Sequence, residues 1–140
     1  MTLSNLIDQI LAKQTFAVLG VSRNPEKYGY IVYQKLKSAG YTVYAINPNA
    51  DSVGGDPCYP NLENVPVQVD CLVTVTPPEI TEMTMTNAGR LKIPFVWMQP
   101  GSESLSAENL AHAGGMQVVS GGSCIMVSIS KRQDRHVTSS

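Results

Sequence analysis

The chain has 140 residues, 43% of them hydrophobic, and ten Lys and Arg oppose eleven Asp and Glu to give a formal net charge of -1. This length predicts one domain with its own core, and the balanced charge excludes a general attraction for nucleic acid or anionic membrane. The apolar runs are too short to span a membrane and no secretory leader pattern opens the chain, so we expect a cytoplasmic protein. Three cysteines without paired spacing argue against a disulfide framework and a zinc site, and we expect no bound metal.

Two helices and two strands are predicted in the first third of the chain. Apolar residues there recur at helical spacing or form runs of strand length. In chain order we expect a helix over residues 2–13, a strand over 16–20, a helix over 28–39 and a strand over 41–46. Gly40 ends the second helix and Asn47-Pro48 ends the second strand. Residues 49–60 are rich in glycine and proline, which predicts a loop with one short strand at most.

The remaining residues repeat the alternation of strand and helix. In chain order we expect a strand over residues 70–75, a helix over 77–91, a strand over 94–98, a helix ending at 114, a strand over 116–119 and a short helix over 125–129. Thr76 is expected to cap the first of these helices, and Ser102 or Ser104 the second. Residues 131–140 are polar and form a C-terminal tail in this interpretation.

Five short strands that alternate with helices predict an α/β fold. We expect a single Rossmann-like doubly wound domain over residues 1–130, with a five-stranded mainly parallel sheet, followed by the polar C-terminal tail over residues 131–140. In such sheets ligands bind at the carboxyl ends of the strands, near the point where the strand order reverses. The loops after the five strands are therefore expected to line one crevice.

The loop after the first strand has the character of a phosphate cradle. The strand ends at Gly20, and a polar turn then leads into the helix that begins near Tyr28. Backbone N–H groups in the first turn of a helix have no partner inside the helix, and the peptide dipoles place partial positive charge there. Arg23 and Lys27 add two cations to this loop, so we expect it to bind phosphate groups.

A dinucleotide such as NAD is the first ligand to consider, because a glycine-ended strand before a helix is typical of its sites. The sequence argues against NAD in two places. Ser22 stands where the dinucleotide fingerprint has its second glycine, and Asn47-Pro48 at the end of the second strand offers no carboxylate to the ribose hydroxyls. The missing carboxylate favours a ligand whose ribose carries a phosphate, and coenzyme A (CoA) is such a ligand.

Four motifs along the chain carry a family resemblance. They are Gly20-Val21-Ser22-Arg23-Asn24-Pro25-Glu26-Lys27-Tyr28-Gly29, Gly40-Tyr41 with Asn47-Pro48, Trp97-Met98-Gln99-Pro100-Gly101, and Cys124-Ile125-Met126-Val127. Over residues 16–127 they resemble the small stand-alone CoA-binding protein family, whose members are similar to the CoA-binding domain of the succinyl-CoA synthetase alpha subunit. The resemblance implies the same α/β fold and a CoA or acyl-CoA ligand.

The resemblance also implies which residues contact CoA. Residues 20–27 would hold the pyrophosphate, and residues 47–49 would border the adenosine. Residues 76–78 would form one wall of the crevice, and the last two loops would complete it, with Cys124 at its mouth. The implied contact set is Gly20, Val21, Ser22, Arg23, Asn24, Lys27, Asn47, Pro48, Asn49, Thr76, Pro77, Gln99, Gly101 and Cys124.

Catalytic groups are scarce in these loops. No histidine falls in them, and the synthetase alpha subunit that the chain resembles carries its phosphohistidine in a second domain. We therefore expect a CoA or acyl-CoA binding protein without catalytic machinery of its own. One alternative is a nucleotide-dependent oxidoreductase or CoA-ligase-type subunit that needs a separate catalytic partner. Another is a CoA-linked redox sensor that uses Cys124, which is either a reactive thiol at a helix start or a small packed residue.

Overall fold

The computed structural model describes the backbone of residues 2–138 and the side chains of residues 2–134. The helices within this part are α1 (Leu3–Leu11), α2 (Tyr28–Ser38), α3 (Pro78–Arg90), α4 (Leu105–Ala113) and α5 (Ile125–Thr138). The strands are β1 (Thr15–Leu19), β2 (Thr42–Ile46), β3 (Ser52–Val53), β4 (Asp56–Tyr59), β5 (Cys71–Thr74), β6 (Phe95–Met98) and β7 (Gln117–Val119). A short 3-10 turn, Leu62–Asn64, precedes β5.

The strands form one sheet in the order β3-β4-β2-β1-β5-β6-β7. All neighbouring strands pair in parallel except β3 and β4, which pair antiparallel. The expected mainly parallel α/β sheet is confirmed, but the predicted number of five strands is wrong, because the described residues form seven. The two additional strands are β3 and β4, which lie in the segment predicted to be mostly loop.

The β3–β4 hairpin was not predicted because its strands are too short to show a pattern. β3 has two residues and β4 has four, and Gly54 and Gly55 turn the chain between them with positive φ angles. Pairing with β2 holds the hairpin in place, since Ala45 lies opposite Cys58 in the parallel register. Backbone hydrogen bonding along the edge of β2, rather than an apolar run in the hairpin, therefore defines these strands.

Helices cover both faces of the sheet, as the alternation of side chains in β1 shows. Phe16 and Val18 belong to a core shared with α1, α2 and α5. Ala17 and Leu19 belong to a second core shared with α3 and α4. Because all four side chains are buried, β1 lies at the centre of a doubly wound sheet, with β2 on one side and β5 on the other.

The last helix is longer than the sequence pattern predicts. α5 continues to Thr138 instead of ending near residue 129, and residues 139–140 of the predicted tail lie outside the described part of the chain. Buried Ile125 and Ile129 hold its first turns against the sheet. The division of the chain at residue 130 stays a prediction. No helix in the described part is long and apolar enough to cross a membrane.

The N-cap residues of α3 and α4 can be compared with the predicted ones. Thr76 does not cap α3, because Pro77 occupies the N-cap position and the Thr76 hydroxyl lies 2.9 Å from the Thr81 hydroxyl. Ser104 is the N-cap of α4, since its Oγ accepts a hydrogen bond from the Ala107 N–H at 3.0 Å. One of the two alternatives for α4 is therefore confirmed, and the prediction for α3 is wrong.

Asp56 connects the edge hairpin to α2. Its Oδ2 accepts a hydrogen bond from the Tyr33 hydroxyl at 3.0 Å and pairs with the Lys37 ammonium. The hydrogen bond from Lys37 first, and that from Tyr33 second, hold the pKa of the Asp56 carboxyl below its usual range. The charged form of Asp56 is therefore part of what holds β3 and β4 against the helix.

Asp56→Asn should destabilise the protein by about 1 kcal/mol at neutral pH, because a partly exposed ion pair and a charged hydrogen-bond acceptor are lost. A lowered folded-state pKa stabilises the protein above the unfolded-state pKa, about 4 for Asp, and this stabilisation disappears as the pH falls through the folded-state value. Urea unfolding should therefore show the difference between wild type and variant shrinking below about pH 4.

Asp51→Asn is the matched control, because Asp51 is an exposed aspartate of the same segment. We expect it to change the free energy of unfolding by less than about 0.5 kcal/mol. A difference between wild type and Asp56→Asn that is independent of pH would contradict the role given to the carboxylate.

Candidate functional site

The carboxyl ends of β1 and β5 lie side by side, at the point where the chain changes direction across the sheet. Gly20 follows β1 with a φ of +101°, a conformation that favours glycine. A Cβ at Gly20 would lie 2.9 Å from Thr76 Cγ2 and 3.1 Å from Val75 Cγ2. The structure thus brings together Gly20 and Thr76, two members of the expected contact set.

Gly29 lets α2 approach the end of β1 more closely than any other residue would. A Cβ at Gly29 would lie 2.4 Å from the Gly20 carbonyl oxygen and 2.9 Å from Val75 Cγ2. Gly29 lies in the first turn of α2, so this contact places the start of the helix directly against the loop after β1. Gly29 is in the first motif but not in the expected contact set, and its position as a second glycine just inside the helix was the signal that could have identified it.

The N-terminus of α2 is open to an anion. Lys27 is the N-cap residue, and its side chain makes no capping hydrogen bond. The first turn has no acidic residue, so the N–H groups there and the positive end of the helix dipole are suited to a negatively charged ligand. Arg23 and Lys27 are both exposed in the loop that leads into this turn.

Two polar side chains in this loop shape the backbone. Ser22 Oγ accepts a hydrogen bond from the Asn24 N–H at 3.0 Å, and Asn24 Oδ1 accepts one from the Glu26 N–H at 3.0 Å. The Asn24 carbonyl also accepts from the Lys27 N–H at 3.0 Å. Ser22 and Asn24 therefore fix the turn that delivers the chain to α2.

Asn47 joins the first loop to the loop after β2. Its Nδ2 donates to the Val21 carbonyl at 2.8 Å, and its Oδ1 accepts from the Asn49 N–H at 2.8 Å. Val21 is fully buried in the core, and its N–H donates to the Ile46 carbonyl at 3.3 Å, so this member of the expected contact set supports the loop from below. Pro48 and Asn49 are exposed. Asn47 thus holds two of the expected ligand loops in a fixed relation.

Three side chains from distant parts of the sequence meet between the starts of α2 and α5, and we call them the Tyr28 cluster: Tyr28, Gln99 and Cys124. The Tyr28 hydroxyl donates to Gln99 Oε1 at 3.1 Å and lies 3.2 Å from Cys124 Sγ. Gln99 Oε1 also accepts from the Ile125 N–H, the first residue of α5, at 3.0 Å. The sequence identified Gln99 and Cys124 but used Tyr28 only as a helix marker, since its hydroxyl gives no pattern in the sequence.

The members of the Tyr28 cluster differ in burial, and Tyr28 itself is 38% exposed. Partial desolvation first, and the hydrogen bond with Cys124 second, raise the pKa of the Tyr28 phenol above its usual value, so the phenol keeps its proton at neutral pH. Gln99 is fully buried, and its Nε2 has no hydrogen-bond partner among the described residues. Cys124 is partly exposed, and Trp97 Nε1 fixes the loop before it by donating to the Ser123 carbonyl at 2.8 Å.

The other two cysteines lie in the core of the protein. Cys71 is fully buried in β5 and Cys58 is buried in β4, and burial raises the pKa of both thiols.

Two further members of the expected contact set, Gly101 and Pro77, are exposed, and the Gly101 N–H donates to Glu103 Oε1 at 3.1 Å. Among the described residues, no group of three His, Cys, Asp or Glu side chains is placed to hold a metal ion.

A separate groove of about 510 Å³ lies between α1 and α5. Its lining comes from these two helices and from none of the strand-end loops. The residues that line it are Leu3, Ser4, Ile7, Asp8, Ser128, Lys131 and Asp134. The groove is therefore distinct from the loops that the sequence assigns to ligand binding.

Residues 14–130 match the family model described as CoA binding domain. The chain belongs to this family. The resemblance inferred from the four motifs is thereby confirmed. The chain is 28% identical over 131 residues to the alpha subunit of acetate–CoA ligase (ADP-forming) II from Pyrococcus furiosus, and the aligned part is 86% of this chain and 28% of that subunit. The chain spans between 11% and 28% of the length of this subunit and of three further ADP-forming acetate–CoA ligases to which it is similar.

Solved structures of small proteins share the fold. A conserved hypothetical protein from Pyrococcus furiosus is 34% identical with a TM-score of 0.78, covering 83% of this chain and 99% of its own. A hypothetical protein from Pyrococcus horikoshii OT3 is 27% identical with a TM-score of 0.88, and the match covers 93% of this chain and 92% of that protein. The fold therefore occurs in small chains, whereas the ligases to which this chain is similar are longer.

Gly29→Ala tests the close approach of α2 to β1. In an exposed helix this change stabilises the protein by about 1 kcal/mol. Here the added Cβ would lie 2.4 Å from a backbone carbonyl, so we expect the opposite sign, a destabilisation of roughly 1–3 kcal/mol in urea unfolding.

Gly29→Ser should cost at least as much as Gly29→Ala, because its Cβ occupies the same place. Gly55→Ala is the control for backbone strain, since Gly55 has a φ of +85° but open space around a Cβ. It should cost about 1 kcal/mol without moving α2. A Gly29→Ala protein more stable than the wild type would contradict the contact.

Proposed function

We propose that this protein binds CoA or acyl-CoA at the carboxyl ends of its strands and does not carry out ligase chemistry by itself. The observation that supports this most strongly is the uncapped N-terminus of α2, held against the β1 loop by the contact between Gly29 and Gly20. Membership of the CoA binding domain family supports the choice of ligand. CoA is here a bound substrate or ligand rather than an established cofactor.

The pyrophosphate of CoA would lie over the first turn of α2. The N–H groups of Gly20, Val21, Asn24, Glu26 and Lys27 already donate within the protein. Ser22, Arg23 and the first turn of α2 would therefore supply the backbone donors, and the Arg23 and Lys27 side chains would supply charge-assisted hydrogen bonds. Contacts with a helix terminus contribute roughly 0.3–1 kcal/mol each. Micromolar affinity requires about 8.2 kcal/mol, so the remaining loops must contribute as well.

The loop after β2 favours CoA over a nicotinamide dinucleotide. Both polar atoms of the Asn47 amide are used in holding Val21 and Asn49, which leaves Pro48 and Asn49 to border the adenosine. No carboxylate ends β2, so nothing there repels a phosphorylated ribose. Thr76 and Pro77 would form the opposite wall, with Gln99, Gly101 and Cys124 completing the crevice.

Ligase chemistry would depend on a partner chain. The loops of the crevice contain no histidine, and the relative from Pyrococcus furiosus is named as the alpha subunit of a ligase. A ligase-type subunit that works with a catalytic partner is therefore the second candidate function.

The three thiols, without paired spacing, support a cytoplasmic location.

Calorimetry with CoA, acetyl-CoA, NAD and NADP tests the proposed ligand. Lys27→Glu should weaken CoA at least about tenfold, because a charge-assisted hydrogen bond contributes roughly 1.5–3 kcal/mol and each 1.4 kcal/mol is tenfold. Lys92→Glu is the matched control, since Lys92 is exposed just before β6, at the opposite end of the sheet. Binding of NAD but not CoA, or equal losses for the two variants, would contradict the site.

A CoA-linked redox sensor is a third candidate, and the Tyr28 cluster favours it because Cys124 is the partly exposed cysteine. The Cys124 sulfur would attack one sulfur of CoA disulfide, form a mixed disulfide and release one CoA thiol. Intact mass after incubation with CoA disulfide should then rise by one CoA. The same adduct on a Cys124→Ser protein would exclude this cysteine.

A further inference from the structure

We propose that Cys124 accepts the acyl group of a bound acyl-CoA by thioester exchange, with Tyr28 and Gln99 positioning the sulfur. This inference rests on the proposed binding of CoA and goes beyond it, because the protein itself becomes the acyl acceptor. The transfer is stoichiometric and requires no ligase chemistry.

The geometry of the Tyr28 cluster carries the first part of the inference. The Tyr28 hydroxyl has one proton, which it donates to Gln99 Oε1 at 3.1 Å, so the Cys124 thiol is the donor in the 3.2 Å contact with Tyr28. When the thiol loses its proton, the same hydroxyl can rotate and donate to the sulfur. Gln99 Oε1 keeps the Ile125 N–H as a donor at 3.0 Å, so it is not left without a partner.

The Gln99 amide is a second and independent observation. Gln99 is 0% exposed, and the Ile125 N–H fixes the orientation of the amide by contacting Oε1. Nε2, on the same amide, has no hydrogen-bond partner among the described residues. A buried donor without an acceptor is unfavourable, and a carbonyl or oxyanion on an acyl group at Cys124 is the kind of acceptor that it lacks.

The N-terminus of α5 lies next to the reacting residue. Cys124 immediately precedes α5, whose Ser128 N–H donates to the Cys124 carbonyl at 3.3 Å. This terminus directs partial positive charge toward the cluster, and the start of α2 is left to the pyrophosphate. This charge favours the negative charge that develops on the thioester oxygen during transfer.

The proposed step is balanced without an oxidant or reductant. The Cys124 sulfur forms a bond to the thioester carbonyl carbon, and the bond between that carbon and the CoA sulfur breaks. The CoA sulfur leaves with the electron pair and takes up the proton that the Cys124 thiol gave to solvent. One thioester replaces another, so acyl-CoA and the Cys124 thiol yield S-acyl Cys124 and free CoA.

The other cysteines provide internal controls. Cys58 is 8% exposed and Cys71 is 0% exposed, and burial raises the pKa of both thiols. Both thiols are less accessible to a bound thioester than the partly exposed Cys124. Acylation by a bound thioester should therefore be confined to Cys124.

The experiment is a time course of intact mass after incubation with acetyl-CoA at neutral pH, with peptide mapping of the product. We expect one added acetyl group on Cys124, its removal by neutral hydroxylamine, no addition to Cys124→Ser, and unchanged addition to Cys58→Ser. The acetyl thioester of N-acetylcysteamine, which lacks the nucleotide, should react at least tenfold more slowly. Equal rates with the two thioesters, or acetyl groups spread over other residues, would overturn the proposal.

Tyr28→Phe tests the positioning residue, because it removes the hydroxyl and keeps the ring. The acetylation rate at saturating acetyl-CoA should fall about tenfold while the KM for acetyl-CoA stays unchanged, as expected when a hydrogen bond to the reacting sulfur is lost. An unchanged rate, or a loss that appears only in KM, would overturn the role of Tyr28.

Calorimetry with CoA on the same wild-type sample separates the two proposals. If CoA binds and Cys124 stays unmodified, the acyl transfer is wrong and the binding function stands. If CoA does not bind, both are wrong.

Discussion

The missing side chain at Gly29 is the constraint on which the rest of the site depends. Any Cβ there would lie 2.4 Å from the Gly20 carbonyl oxygen, so only glycine allows α2 to start directly against the end of β1. This contact brings the open first turn of the helix to the point where the strand order reverses. It also carries Tyr28, the neighbouring residue, to within hydrogen-bond distance of Gln99 and Cys124.

The core elements could be predicted because each one has a periodic or apolar signal. The runs that became β1, β2, β5, β6 and β7 have strand length, and Gly40 ends α2 as its pattern predicts. β3 and β4 could not be predicted in the same way, because two and four residues carry no period and their pairing is set by the edge of β2. α5 was predicted too short because its polar second half carries no continuous apolar stripe.

Part of the candidate site could also be predicted from the sequence and part could not. The loop after β1 could be identified from Gly20 and the polar turn, since neighbouring residues determine the conformation of a short turn. The Tyr28 cluster could not, because Tyr28 lies 71 residues from Gln99 and 96 from Cys124 in the sequence. Val21 belongs to the same loop, and its side chain packs in the core, which its place among polar residues in the sequence does not indicate.

A crystal structure of the protein with CoA tests the central claim most directly. We predict that the pyrophosphate oxygens accept hydrogen bonds from the backbone N–H groups of Ser22, Arg23 and the first turn of α2, with the adenosine beside Pro48 and Asn49. The CoA sulfur should lie near Cys124. CoA bound instead in the groove between α1 and α5, with the start of α2 unoccupied, would contradict the proposed site.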